Sequence, residues 1–213
     1  MGVSKQQAIE NKRAIVAAAE KLFRQRGVAA VGLAELTKAA GFTQGGFYNH
    51  FKSKDDLVAA VMDKATEDGA AELIAGIAAS RAEAADPIKR YAEWYLSPEH
   101  LGNIEKGCPL TGFAGDVRRL GKEARESYAR GLASNFDQMA NAIDGENPQE
   151  KRQKVISLFS QMVGSLLLSR AVAETDPVLA DEILKNGRQQ LQRVLDASKR
   201  SATDPWTVSG HTP

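Results

Sequence analysis

Thr43, Gln44, Gly45, Gly46, Tyr48, Asn49 and His50 form a run in which almost every side chain can donate or accept a hydrogen bond and few carry charge. Base edges in a DNA groove are read by such donors and acceptors, and small residues let a backbone come close to the surface. Two adjacent glycines weaken a helix by about 1 kcal/mol each relative to alanine, and close approach is one reason to tolerate them. Cys108, the only cysteine, is the second candidate; it lies in KGCPLTGFAGDV. Pro109 predicts a helix start directly after it. A thiol at a helix N-terminus beside a lysine, here Lys106, gains thiolate character. Two roles fit those residues: a sensor of reactive small molecules, or an inert small residue that starts a helix. The histidines, His50, His100 and His211, do not stand with carboxylates or thiols at catalytic or metal-ligand spacing. Neither an enzyme nor a metal or cofactor site is expected.

The elements that would position these groups read as helices throughout. Ile15, Ala18, Ala19, Leu22 and Phe23 recur on one face of a segment from about Ile9 to Gln25, which Gly27 closes. Short helices follow from about Leu33 to Ala40 and from about Gln44 to His50, with Gly41 supplying the turn. Leu36, Ala39, Ala40, Phe42, Phe47 and Phe51 are the apolar set that can pack them together. Ser53 with Asp56 predicts a capped start for a helix running to about Ala79. Asp86-Pro87, Asn147-Pro148 and Asp176-Pro177 each place an N-cap residue before a first-turn proline, predicting helix starts there. Ser97 to Gly107 reads as an irregular loop. Further helices are expected from Pro109 to about Leu120 and from Lys122 to about Ile143, and a disordered tail from Ser201.

Charge is unevenly placed. Residues 1–54 carry nine Lys/Arg against three Glu, whereas the remainder is acidic and the whole chain carries +1. A basic head on an acidic body suits a protein that meets a polyanion at one end, although a solvated basic helix explains the charge alone equally well. No run of apolar residues is long enough to span a membrane, no signal-type segment opens the chain, and a single cysteine forms no internal disulfide. A cytoplasmic protein is expected.

The block from about Lys12 to Ala65 resembles the TetR family of transcriptional regulators. The likeness rests on AAAEKLFRQRG at 17–27, LAELTKAAGFTQGGFYNHF at 33–51 and KSKDDLVAAV at 52–61. It implies that Thr43, Gln44, Gly45 and Gly46 front a recognition helix, with Gln44 the foremost base-reading candidate. Tyr48 and His50 fall where the family places phosphate contacts, and Lys52 and Lys54 open the next helix, whose amides suit a phosphate. Gly46 departs from the Thr or Ser that many members carry. Tyr48 also fits a partly buried aromatic that buttresses the helix, and both roles can coexist. The stretch around Cys108 is similar to a Gly-Cys segment of some such regulators that respond to electrophiles or oxidants.

The expected fold is all-α, with about nine helices. A helix-turn-helix DNA-binding domain would occupy 1–54 and a helical ligand-binding and dimerisation domain 55–200, with 201–213 as a tail. One such motif reads few base pairs, so a homodimer on a palindromic operator in double-stranded DNA is implied. Dimer contacts are expected from the last two helices, through Val155, Phe159, Met162, Val163, Leu166 and Leu167 and through Ile183, Leu184, Leu191, Val194 and Leu195; the same stripes could instead serve the protomer core. A small-molecule effector would sit among Trp94, Tyr95, Cys108, Phe113, Tyr128, Phe136, Met139 and Phe159, each of which also fits plain core. A helical small-molecule-binding or thiol-based sensor module that does not act on DNA explains the body but leaves residues 12–65 unexplained.

Overall fold

Local capping sets most helix starts. In the computed structural model, which describes residues 4–145 and 147–203 with side chains as far as Asp196, ten helices occur in order. These are α1 (Lys5–Arg26), α2 (Leu33–Ala39), α3 (Gln44–Tyr48), α4 (Lys54–Ala82), α5 (Pro87–Tyr95), α6 (Pro98–Gly102), α7 (Pro109–Gly112), α8 (Lys122–Ala142), α9 (Pro148–Val172) and α10 (Pro177–Thr203). No strand occurs among the described residues. Ser4, Thr43, Ser53, Asp86, Ser97 and Asn147 each accept a hydrogen bond from a first-turn amide, satisfying donors that a helix start leaves free. Gly41, at φ +76°, makes the turn between α2 and α3, a conformation that costs a residue with a Cβ.

Two hydrophobic cores share α4 as a spine. The first collects Ile15, Phe23, Leu36, Phe47 and Phe51 from the N-terminal helices, then Leu57 to Ala65 of α4, and reaches Phe113 and Ala124. The second joins Leu73 and Ile77 of α4 to Tyr95, Met139, Phe159, Met162, Leu184 and Leu191. The helices α4 and α8 cross closely at Gly131, where a Cβ would stand 2.5 Å from Thr66 Cβ.

Several sequence expectations change. The first helix begins at Lys5, because Ser4 caps it. The expected loop 97–107 contains α6, started by Ser97-Pro98, the same cap-plus-proline device with serine in place of an Asx residue. The expected helix from Pro109 to Leu120 is one turn of α-helix and a 3₁₀ turn at Val117–Arg119, interrupted where Gly112 and Gly115 weaken it. Residues 201–203 continue α10, and the rest of the expected tail, 204–213, lies outside the described residues. Ala39 is exposed rather than packed between α2 and α3.

The interface stripes are also redrawn. Val155, Phe159, Met162 and Leu166 of α9 and Leu184, Leu191 and Leu195 of α10 are buried within the protomer. The apolar side chains these helices leave exposed are Ile156, Leu167, Leu168, Val178, Leu179 and Val194. Among the described residues α9 is the one helix with the length and apolarity of a membrane span, and its inner face is taken up by core contacts.

Candidate nucleic-acid interface and cavity

Phe47 fixes the orientation of α3. It is wholly buried and stacks on Phe51 at 5.5 Å, while Lys12 lies 5.2 Å over the Phe51 ring. With Phe47 inward, the helix turns Gln44, Gly45, Tyr48 and Asn49 to solvent. Tyr48 is 58% exposed, and its ring meets Phe47 edge-on. Thr43 caps α3: its Oγ1 accepts from the Gly46 amide at 3.1 Å. A Cβ at position 46 would come within 3.4 Å of that oxygen, so glycine leaves the cap undisturbed. His50 is half-buried against Phe42.

The two lysines after α3 differ. Lys52 is exposed. Lys54 turns inward, donating from Nζ to the Val28 carbonyl at 2.7 Å and lying 5.8 Å from the centre of the Phe23 ring. It thereby ties the start of α4 to the α1–α2 connection. The first turn of α4 supplies its own anions. Asp56 accepts from the Lys52 amide at 3.0 Å and donates its own amide to Ser53 Oγ at 3.1 Å, with Asp55 beside it. That helix start is therefore less inviting to a phosphate than the resemblance implies.

A cavity of about 400 Å³ opens between α4, α5, α7 and α8. Of the residues expected there, Trp94 and Cys108 line it. Tyr95, Phe113, Tyr128, Phe136, Met139 and Phe159 are instead packing residues. Tyr95 is fully buried with its hydroxyl on Thr111, and Tyr128 donates to the Leu110 carbonyl at 2.6 Å. Phe136 and Phe159 meet edge-to-face at 5.9 Å, Met139 is fully enclosed, and Phe113 sits under the Arg24 guanidinium. Tyr91 and Asn135 line the cavity but were not singled out from sequence. Tyr91 stands one turn before Tyr95 and was legible from helical spacing; a buried asparagine gives no sequence signal.

Cys108 is held in the cavity wall by His100. The Cys108 amide donates to His100 Nε2 at 2.9 Å, and His100 Nδ1–H donates to the Tyr95 carbonyl at 2.7 Å. Those bonds fix a neutral ring, and desolvation brings its pKa down to about 4, with Arg170 and Arg24 adding to the fall against the Tyr95 bond. Trp94 stacks on the imidazole at 4.4 Å. Lys106 is exposed, and Arg170 donates to the His100 and Leu101 carbonyls. Burial pushes the Tyr91 and Tyr95 phenols well above their usual range, the neighbouring Cys108 adding to it, and takes Tyr128 to about 12. These phenols are neutral at physiological pH.

The loop bearing Cys108 is also fastened to the N-terminal helices. Arg24 of α1, itself buried, donates to the Gly107 carbonyl and pairs with Glu20 at 2.8 Å. Glu105 accepts from Gln25 and pairs with Lys21 at 3.0 Å, and Asp116 accepts from the Val28 amide at 3.0 Å. No group of three or more metal-ligating side chains occurs among the described residues.

Residues 15–61 match the family model described as bacterial regulatory proteins, tetR family. The transcriptional regulator TtgR of Pseudomonas putida is 42% identical over 64 residues, 30% of either chain. The chain thus spans less than a third of the length of the curated relatives it matches at that identity. The Escherichia coli repressor NemR is 21% identical over 176 residues, 79% of this chain and 88% of that one. The reduced form of NemR superposes with a TM-score of 0.68 at 20% identity, covering 86% and 96% of the two chains. A TetR regulator from Legionella pneumophila gives 0.69 at 20% identity over 91% and 99%. At these identities the structures establish a shared fold, the all-helical architecture with an N-terminal helix-turn-helix.

Proposed function

We propose that the chain is a TetR-type transcriptional repressor that binds a palindromic operator as a homodimer and is released by a small molecule, a reading supported by the family match over residues 15–61. The observation that carries this is α3, whose exposed face is a continuous hydrogen-bonding surface seated on the buried Phe47. Gln44 reads base edges from the front of that helix, Tyr48, Asn49 and His50 contact the backbone behind it, and Lys52 meets a phosphate. Thr43 and Gly46 shape the helix start. Lys54 acts by holding α4 against the DNA-binding unit, residues 1–54, rather than by touching DNA.

Dimerisation through the exposed faces of α9 and α10 would cover the apolar side chains left open there and make a four-helix bundle across a two-fold axis. An effector in the cavity would act on two links to the N-terminal domain at once. One is α4, which lines the cavity and begins just after α3; the other is the Cys108 loop, which Arg24 joins to α1. The effector must bind the released conformation better than the DNA-bound one, and by linkage DNA then weakens the effector equally. A shift assay with the DNA upstream of its own gene, at two salt concentrations, tests this function. Tight, salt-sensitive, palindrome-dependent binding supports it, and failure to bind any DNA from a selection library removes it.

A second reading, a thiol-based response, is favoured by the place of Cys108 on the cavity wall. If Cys108→Ser leaves release by every tested electrophile and oxidant unchanged, that reading is lost.

A further inference from the structure

The DNA-binding unit is attached to the helical body at two places. One is α4, which runs through both cores. A single connecting helix leaves bending and rotation about its own axis, and an attachment away from that axis removes them. The second attachment centres on Arg24 of α1. Its guanidinium is buried, donates to the Gly107 carbonyl and lies 5.5 Å from the centre of the Phe113 ring.

The backbone that receives Arg24 is itself held. A Cβ at Gly107 would stand 2.7 Å from His100 Nε2 and 2.8 Å from the Asn103 carbonyl oxygen, so the loop is closed tightly on the pinned imidazole. From the other side Arg170 of α9 donates to the His100 and Leu101 carbonyls. Leu167 and Leu168, within a turn of Arg170, belong to the exposed apolar face of α9. Residues 100–107 thus form a strut with an arginine from the DNA-binding unit at one end and an arginine from α9 at the other.

Fold stability alone does not call for an arginine at position 24. Its Nε is closed to solvent and has no hydrogen-bond partner, and its charge is met by Glu20 at 2.8 Å. A buried ion pair with an unmet donor is often no more stabilising than apolar side chains of the same volume; what it adds is one defined geometry. The neighbouring links are weaker holds on α1. Glu105 meets Lys21 and Gln25 at the surface, where solvent screens the pair, and the Val28 amide bond to Asp116 lies beyond the end of α1.

Resting on the homodimeric, palindrome-binding reading given above, we propose that Arg24 is a positioning residue for operator choice: through Gly107 it fixes the angle between the DNA-binding unit and α9, and with it the half-site spacing that the dimer accepts. One base pair added or removed between half-sites turns one against the other by about 35° and shifts it by about 3.4 Å. A unit held at two points follows that change only with strain, whereas a unit held through α4 alone can swing to meet it.

The test takes the full-length protein, the duplex it enriches from a random library, and derivatives of that duplex with one base pair more or fewer between the half-sites. Anisotropy titration gives the affinity for each. The unaltered protein should lose about tenfold or more on either change, and Arg24→Met about threefold or less. Arg24→Met should keep the same base preference within a half-site, since α3 is untouched. Lys21→Ala, which removes an exposed pair to the same loop, should discriminate as the unaltered protein does. A residue that served stability alone would lower affinity alike for every spacing and leave the ratios as they were. Should Arg24→Met fail to fold, Arg24→Gln replaces it, its amide stopping short of the guanidinium's reach, and the spacing profile of the unaltered protein is decisive by itself. Equal affinity of the unaltered protein for the three spacings, unchanged ratios in the folded Arg24 variant, or equal loosening in Lys21→Ala overturns the inference while leaving the repressor reading in place. Enrichment of no inverted repeat overturns both.

Discussion

Replacing His100 with phenylalanine tests how the cavity wall is held. The ring would keep its stacking on Trp94, but the Tyr95 carbonyl and the Cys108 amide would lose their partners inside the protein. Each orphaned group costs about 1–3 kcal/mol, so His100→Phe should destabilise the fold by roughly 3 kcal/mol at pH 7.5. The pH dependence makes the prediction specific. His100 has a folded pKa of about 4 against an ordinary value of 6.5. As pH falls through 6.5 the unfolded chain takes up a proton first, so stability declines with falling pH until the folded ring also titrates. Discounted for residual solvent screening, the loss at pH 5 is about 1–2 kcal/mol, and the variant lacks it. Urea unfolding followed by circular dichroism at pH 7.5 and pH 5 should therefore show the gap between the two proteins narrowing at the lower pH. A gap that stays constant or widens refutes the assignment of His100 as a buried neutral acceptor.

Other substitutions separate packing from function. Gly131→Ala should lower stability by about 1–3 kcal/mol, because the added Cβ meets Thr66 where α4 and α8 cross; Gly76→Ala, with open space around its Cβ, should raise it by about 0.5–1 kcal/mol, and thermal melts compare them. Lys52→Ala should weaken DNA binding and reduce its salt dependence with the melting temperature unchanged, whereas Lys54→Ala should lower the melting temperature through loss of the Val28 bond. Leu168→Glu, at a side chain 61% exposed on α9, should shift the protein from dimer to monomer in analytical ultracentrifugation without unfolding the protomer.

Much of the helix plan was legible because its signals are local. Asp86-Pro87 and Asn147-Pro148 start helices at the expected positions through side-chain caps within three residues. Ser97-Pro98 carried the same information in a segment that its polarity made look irregular. The α3 surface was legible too, since Phe47 has to point inward and the polar set is what remains. The role of Lys54 was not, because its acceptor belongs to Val28, far away in sequence, and only packing brings the two together. The cavity was least legible. Aromatic and sulfur-bearing residues on helices face the core more often than a void, as Phe136, Met139 and Phe159 do. The polar groups that shape the wall, Asn135 and His100, give no periodic signal. The α9 and α10 stripes divided, with Val155, Phe159, Met162, Leu166, Leu184, Leu191 and Leu195 in the protomer core and Leu167 and Val194 exposed, because periodicity marks an apolar face but does not say whether the same chain or a second copy covers it.

The central claim is that α3 reads DNA. Selection from a random duplex library, followed by anisotropy titration of the enriched sequence at two salt concentrations with the unaltered protein and Gln44→Ala, tests it most directly. The account predicts enrichment of an inverted repeat, affinity that falls steeply with salt, and an altered base preference in the variant while the salt slope stays the same. Enrichment of no sequence, or a sequence preference indifferent to Gln44 and to the other exposed residues of α3, would contradict it.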